Sequence, residues 1–266
     1  MRALLLTAAL AALAADPGRR PGPNHAATSP PLSPELVAAW QRAGATLGHL
    51  NTHWDGMDYF FPGFAGEEGE VPVFQFREWK RGVLAGLPQP QGPFGLDLRN
   101  TQIGDADLKE LAALKELRYL CLAGCPVTGA SLKDLAGLKW LQSLDLAATK
   151  VTDDGLKDLA ALTGLQRLSL KGTSITDAAL KYPGGLRGLQ ALTLGCTDVT
   201  DTGLKEVARL KGLQKLSVNG TQMTDVGLKE LAALKELREL CLYCGPVTGN
   251  AVEELRKAIP GLTVNR

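Results

Sequence analysis

The sequence predicts an α/β solenoid, with a curved parallel sheet on its concave face and helices on its convex face, capped by a small mixed α/β segment at the N-terminus. Three observations carry that prediction. The stretch 141–164, LQSLDLAATKVTDDGLKDLAALTG, returns lightly edited every 24 residues, so that Leu144 recurs as Leu96, Leu120, Leu168, Leu192, Leu216 and Leu240. A fixed period of this length marks stacked supersecondary units, each burying its apolar face against the next. Within each unit, alternation as in Ser143-Leu144-Asp145-Leu146-Ala147 puts the leucines on one face of a short strand. The second apolar cluster, Leu156, Leu159 and Leu162, has i, i+3, i+6 spacing and reads as a helix. One strand and one helix in so short a unit force successive strands to run parallel.

Ahead of the array, residues 1–14 read as a secretory signal: Arg2 is the positive start, 3–11 the apolar run, and Ala12-Leu13-Ala14 the cleavage pattern. The run is too short to span a bilayer, and export without stable membrane insertion is the expectation, to the periplasm, cell envelope or exterior. Residues 15–34 hold six prolines from 16 onward and no apolar periodicity, the composition of a disordered spacer. Residues 35–92 form the expected cap. Ser33-Pro34 opens a helix to Arg42, since Ser accepts N-terminal N–H bonds and Pro suits the first helical position. Segments 46–52 and 71–76 read as strands, 77–85 as a short helix, and 53–70 as a loop. Ten of the fourteen aromatic residues fall between Trp40 and Phe94. Covering the apolar end of the array is the leading reason for them. The alternative is a second binding surface built on Tyr59, Phe60, Phe61 and Phe64.

The array occupies 93–266, as seven repeats and a closing strand at Leu262 and Val264. Thr149 and its equivalents Thr101, Thr173, Thr197 and Thr221 stand where the strand turns away, and their hydroxyls are expected to bond buried backbone groups. Asp153, Asp177, Asp201 and Asp225 precede the helices and read as N-caps. Pro183 ends the fourth helix early, with Gly184-Gly185 as a flexible spot.

The pattern L-x-x-L-x-L-x-x-T-x-V-T-D-x-G-L-x-x-L resembles the cysteine-containing-like class of leucine-rich repeat proteins. The chain is similar to secreted bacterial members that join an aromatic N-terminal segment to such repeats. The match is strong over 93–264 and looser over 35–92. That class also supplies the repeat half of F-box adaptors, but no stretch before the repeats matches an F-box, so a ubiquitin-ligase role is not carried over. The resemblance implies protein recognition through the concave face, with no associated reaction.

The search for chemistry in the residues points the same way. Lys+Arg is 29 and Asp+Glu 28, a formal charge of +1, which lacks the basic excess of a nucleic-acid binder. No phosphate-binding glycine loop, dinucleotide fingerprint or H-E-x-x-H is present, and no cofactor, metal site or catalytic residue is expected. His49, His53 and Asp55 are the one arrangement open to a hydrolase-like reading, with two histidines and no third ligand. Of the five cysteines, Cys121 and Cys241 share a strand position about 24 Å apart, and Cys196 and Cys244 another about 10 Å apart, beyond disulfide reach. Cys125 takes the Thr position of the ladder, and free thiols are expected.

What remains is the concave face, whose three outward positions per strand are not chosen by packing. Arg167, Lys171, Lys215 and Asn219 form a cationic strip across repeats four to six, flanked by Tyr119, Asp145 and Tyr243, with Arg99 and Glu239 completing the candidate surface. Arg and Tyr are the residue types that anchor interfaces. The function expected is a non-enzymatic protein-interaction scaffold; the alternative is an assembly component of the cell envelope that uses the aromatic N-terminal segment.

Overall fold

The computed structural model describes residues 32–52, 58–62, 71–183, 186–243 and 245–266. The signal at 1–14, the spacer to residue 31, His53, Asp55, Phe64, Gly184-Gly185 and Cys244 lie outside the described residues.

Helix α1 (Pro34–Arg42) begins as its sequence dictates, with Ser33 Oγ accepting from Leu36 N–H at 3.2 Å and Pro34 at the first position. It delivers Trp40 to the core, fully buried. Strand β1 (Ala45–Thr52) pairs antiparallel on one side with β3 (Val73–Phe76) and on the other with β2 (Asp58–Pro62). The second strand falls in the stretch read as a loop; DYFFP has no apolar–polar alternation, so nothing local marks it. The helix expected over 77–85 is reduced to a 3-10 turn at Val83–Gly86, because Gly82 takes φ 80° and interrupts any helical path.

From there the chain climbs rung by rung. Strands β4 (Phe94–Asp97), β5 (Leu117–Cys121), β6 (Ser143–Asp145), β7 (Arg167–Ser169), β8 (Ala191–Thr193), β9 (Lys215–Ser217), β10 (Glu239–Cys241) and β11 (Thr263–Asn265) are all parallel. β3 pairs parallel with β4, so the cap and the array share one sheet, ordered β11-β10-β9-β8-β7-β6-β5-β4-β3-β1-β2. Equivalent leucines stand side by side: Leu144 opposite Leu120 and Leu168.

The returning segments are tighter than the sequence spacing suggests. α4 (Asp201–Val207), α5 (Asp225–Glu230) and α6 (Gly249–Ala258) are α-helical, whereas α2 (Leu108–Leu111) and α3 (Asp153–Leu156) are single turns. The second and fourth repeats return through 3-10 turns at Leu132–Gly137 and Asp177–Lys181. The i, i+3, i+6 spacing is itself nearer three residues per turn than 3.6, and 3-10 geometry keeps all three leucines inward. Leu156, Leu159 and Leu162 are at most 1% exposed.

A single apolar core runs from Trp40 to Val264. At its start Trp40 stacks on Phe74 with ring centroids 4.3 Å apart and meets Phe94 edge-on at 5.9 Å. Its indole N–H donates to Pro88 O at 2.9 Å. The aromatic concentration therefore closes the end of the array with rings, which bury large areas with few rotatable bonds.

Two polar ladders tie the rungs. In the first, Thr101, Thr149, Thr173, Thr197 and Thr221 donate their hydroxyls to the carbonyl three residues earlier, at 2.6–2.9 Å. Cys125 replaces Thr in the second repeat, and its Sγ lies 3.0 Å from Leu98 O of the rung before. The second ladder differs from expectation. The aspartates are not the N-caps; Thr176, Thr200, Thr224 and Thr248 are, each accepting from a backbone N–H two or three residues on. The aspartate one place later reaches instead to the following rung. Asp153 accepts from Thr176 N–H at 2.8 Å and Thr176 Oγ1 at 2.7 Å, and Asp105, Asp177, Asp201 and Asp225 hold Thr128, Thr200, Thr224 and Thr248 alike. One step lacks the link. Gly129 stands where the second repeat would carry its aspartate, and Thr152, the residue it would hold, makes no side-chain cap.

Candidate functional site

Strand alternation sends every second residue out of the core, and the register brings these residues into three columns on the concave face. The first runs Gly95, Tyr119, Ser143, Arg167, Ala191, Lys215, Glu239, and the second Asp97, Cys121, Asp145, Ser169, Thr193, Ser217, Cys241. The third, two residues beyond the strand ends, holds Arg99, Ala123, Ala147, Lys171, Gly195, Asn219 and Tyr243. Positions are set by the parallel ladder; their chemistry is set by what each touches.

At the N-terminal end the face is already occupied. Leu50 and Phe60, cross-strand partners in β1 and β2, pack against a small cluster of Val73, Tyr119 and Cys121. Tyr119 is 2% exposed, so it serves packing in this structure rather than standing out as an interface anchor. Gly95 makes room for it: a Cβ there would lie 2.8 Å from Val73 Cγ2 and 3.1 Å from the Tyr119 ring. Beside this cluster lies a buried polar group. Arg99 Nε meets Asp97 Oδ2 at 2.8 Å, and the guanidinium reaches Tyr119 Oη at 3.4 Å. Asp97 is fully buried and also accepts from Gln75 and from Arg99 N–H. Arg99 is thus committed to an internal partner.

Asp145 faces the same region. Its carboxylate accepts from Ala147 N–H at 3.0 Å and lies 3.6 Å from Cys121 Sγ. Desolvation raises its pKa despite these donors, and burial likewise pushes the Cys121 thiol up, so that Cys121 stays protonated and unreactive.

Further along, Arg167 opens β7 half-buried, and Lys171, two residues past its end, is exposed. Lys215 Nζ lies 3.0 Å from Glu239 Oε2, an ion pair between two part-exposed side chains. Asn219 Oδ1 accepts from Tyr243 N–H at 2.8 Å, fastening two rungs, while the Tyr243 side chain remains 39% exposed. The cationic strip is therefore uneven: Lys171 projects, Lys215 is paired one rung over, and Asn219 is partly structural. Two residues that the column positions alone do not distinguish are set apart by the geometry. Ser143 Oγ and Thr193 Oγ1 are buried on the concave floor with no hydrogen-bond partner among the described residues.

Of the histidine reading only His49 falls among the described residues. His49 stacks on Phe61 at 5.9 Å, and no group of three or more His, Cys, Asp or Glu among the described residues is arranged to hold a metal ion. Cys121, Cys125, Cys196 and Cys241 are free thiols. Of the aromatic segment, Phe60 is turned inward and Phe61 is 46% exposed. No helix among the described residues is long and apolar enough to cross a membrane.

A capped, parallel-sheet solenoid with a polar concave face is a class of protein defined by its surface rather than by a cleft. Comparison with known proteins agrees. The leucine-rich repeat family profile matches residues 137–160 and 213–232. An internalin C2 from Listeria monocytogenes is similar in structure, 30% identical, at a TM-score of 0.51 over 64% of this chain and 70% of that one. An internalin (inlF) from the same species matches at 24% identity and a TM-score of 0.54, over 64% of this chain and 46% of that one. A leucine-rich repeat protein of Leptospira interrogans matches at 23% identity and a TM-score of 0.46, with 54% of its length covered. This chain thus spans about half the length of two of the three. A sequence comparison with curated proteins gave no match. The chain belongs to the leucine-rich repeat proteins, which generally act as protein-interaction scaffolds.

Proposed function

We propose that the chain is an exported, non-enzymatic recognition module that binds a protein partner through the concave face between repeats three and seven. The observation that carries this reading is the contrast along that face. Its N-terminal end is filled by Leu50, Phe60 and Tyr119, whereas beyond Asp145 the outward residues of β7 to β9 are small or polar apart from Arg167, Lys171 and Lys215, and Lys171 and, a rung further on, Tyr243 are exposed. Export rests on the leader-like residues 1–14.

The test is affinity capture with the full chain from an extracytoplasmic fraction. Wild type is compared with Arg167→Glu, Lys171→Glu, Lys215→Glu combined, after circular dichroism shows the variant folded. A protein retained by wild type and lost by the variant supports recognition through this face. Identical capture by both, or none by either, overturns it. The envelope-assembly alternative predicts instead that Phe61→Asp abolishes assembly while the triple variant leaves it intact.

A further inference from the structure

We infer that Asn219-Gly220 is a self-modification site held shut by the seventh repeat, and that opening of this repeat converts Asn219 to aspartate or isoaspartate. The repeat frame explains why the pair stands there. After each strand comes an outward residue of the third column and then a residue at positive φ, in turn Asn100, Gly124, Ala148, Gly172, Cys196 and Gly220, the last at φ 67°. Glycine suits that backbone, whereas packing does not choose the residue before it. In the sixth repeat the two positions read Asn-Gly, and of the chain's six asparagines Asn219 alone precedes a glycine. With no side chain on Gly220, its nitrogen can approach Asn219 Cγ closely. Attack forms the N–Cγ bond and breaks Cγ–Nδ2; ammonia leaves with the proton given up by Gly220 N, and a cyclic imide remains. Solvent water then opens the imide at one of its two carbonyl–nitrogen bonds, giving aspartate or, with the chain routed through the side chain, isoaspartate.

In the folded chain the reacting groups are tied down. Gly220 N–H donates to Tyr243 O at 2.9 Å, Asn219 Oδ1 accepts from Tyr243 N–H at 2.8 Å, and Asn219 O accepts from Cys196 N–H at 2.7 Å. To react, the Gly220 nitrogen must turn away from Tyr243 O and towards Cγ, while Cγ carries the very oxygen that Tyr243 N–H holds. The reaction therefore waits on release of Tyr243. That residue lies two positions past β10, and beyond β10 the sheet has only β11. The ends of a stacked array open at lower free-energy cost than its centre, so the lock belongs to a part of the molecule that opens readily. Gly220 is itself exposed, and the water that opens the imide is at hand. Aspartate adds a negative charge to the candidate surface in the rung of Lys215. Isoaspartate lengthens the main chain by one carbon where these bonds fixed the peptide, so the seventh repeat does not return to its register.

The full chain is held in mildly alkaline buffer and sampled over time. Its tryptic peptide 216–229 is followed by mass spectrometry, with the aspartate and isoaspartate forms separated by chromatography. A synthetic peptide of the same residues gives the unlocked rate. Conversion in the folded chain is expected to be at least about a hundredfold slower than in the peptide, because only the open fraction reacts. Leu255→Ala removes a buried side chain from α6 and is expected to speed conversion at least about tenfold. Leu84→Ala, an equal loss in the N-terminal cap, leaves the rate unchanged. Circular dichroism melting checks that both variants are folded, and Val252→Ala, a smaller loss in the same helix, replaces Leu255→Ala if that variant is not. Equal rates in the folded chain and the free peptide overturn the inference, since the junction is then not locked. A rate that the α6 variant does not raise overturns it as well. Equal acceleration by the α6 and cap variants does so too, because conversion then follows unfolding of the whole array and not of the seventh repeat.

Discussion

Thr173 donates its hydroxyl to Leu170 O at 2.6 Å and is 4% exposed, and the same bond recurs in four other repeats. Thr173→Val keeps the shape but removes this bond, leaving Leu170 O the longer one from Thr173 N–H at 3.3 Å, so a loss of about 0.5–1.5 kcal/mol is expected in urea unfolding. Asp145 acts in the opposite sense. Its raised pKa, caused first by desolvation, means that ionisation is easier in the unfolded chain than in the folded one. Stability from this group is greatest below the unfolded carboxyl pKa and falls as pH rises through the folded one. Asp145→Asn therefore gains relative to wild type between pH 3 and pH 7, read as a change in the difference between their melting temperatures. Asp225 has the reverse sign: hydrogen bonds from Thr248 lower its pKa, so its contribution is present at neutral pH and lost on acidification.

Among the elements, the links from aspartate to the next rung's threonine govern how the turns begin. Asp177→Ala removes two acceptors from Thr200, and about 1–3 kcal/mol of destabilisation is expected, with hydrogen exchange quickened at the start of α4 rather than across the array. Gly129 invites the opposite experiment, restoring the missing aspartate. Gly129→Asp is expected to destabilise, since the backbone is at φ 97° and a Cβ would lie 2.9 Å from Gly155 Cα. A raised melting temperature would show that the two backbones separate at little cost. These links also mark the limit of what the residues disclose by themselves. The leucine period was legible because every rung must face the same core. The partner of Asp153 was not, because an acidic residue before a helix reads equally well as a cap for that helix. β2 was hidden for a related reason: its pairing is imposed by β1, and DYFFP carries no period of its own.

Across the whole molecule, the sheet is continuous from the cap to β11, and Trp40 seals its first rungs. Trp40→Ala is expected to cost about 3–5 kcal/mol and to expose the apolar end, read as dye binding and a lower melting temperature. The concave columns could be written down from the repeat, but the state of each residue could not. Tyr119 is buried because a hairpin distant in sequence lies over it, Lys215 is paired because Glu239 stands one rung on, and Thr193 is set apart by the partners it lacks. Each of these depends on neighbours brought together only by the fold.

The aspartate links are directional, and this gives the array a growing end. Each later rung borrows an acceptor that the earlier rung has already placed. A chain emerging N-terminus first therefore finds the acceptor waiting before the threonine that needs it arrives, at every such step but the one at Gly129. Trimming a rung from the C-terminus frees a carboxylate that water solvates readily, whereas removing one from the N-terminus leaves a turn start with no acceptor for its threonine. Shortened from its end, the array keeps its remaining turns in order; shortened from its beginning, it frays.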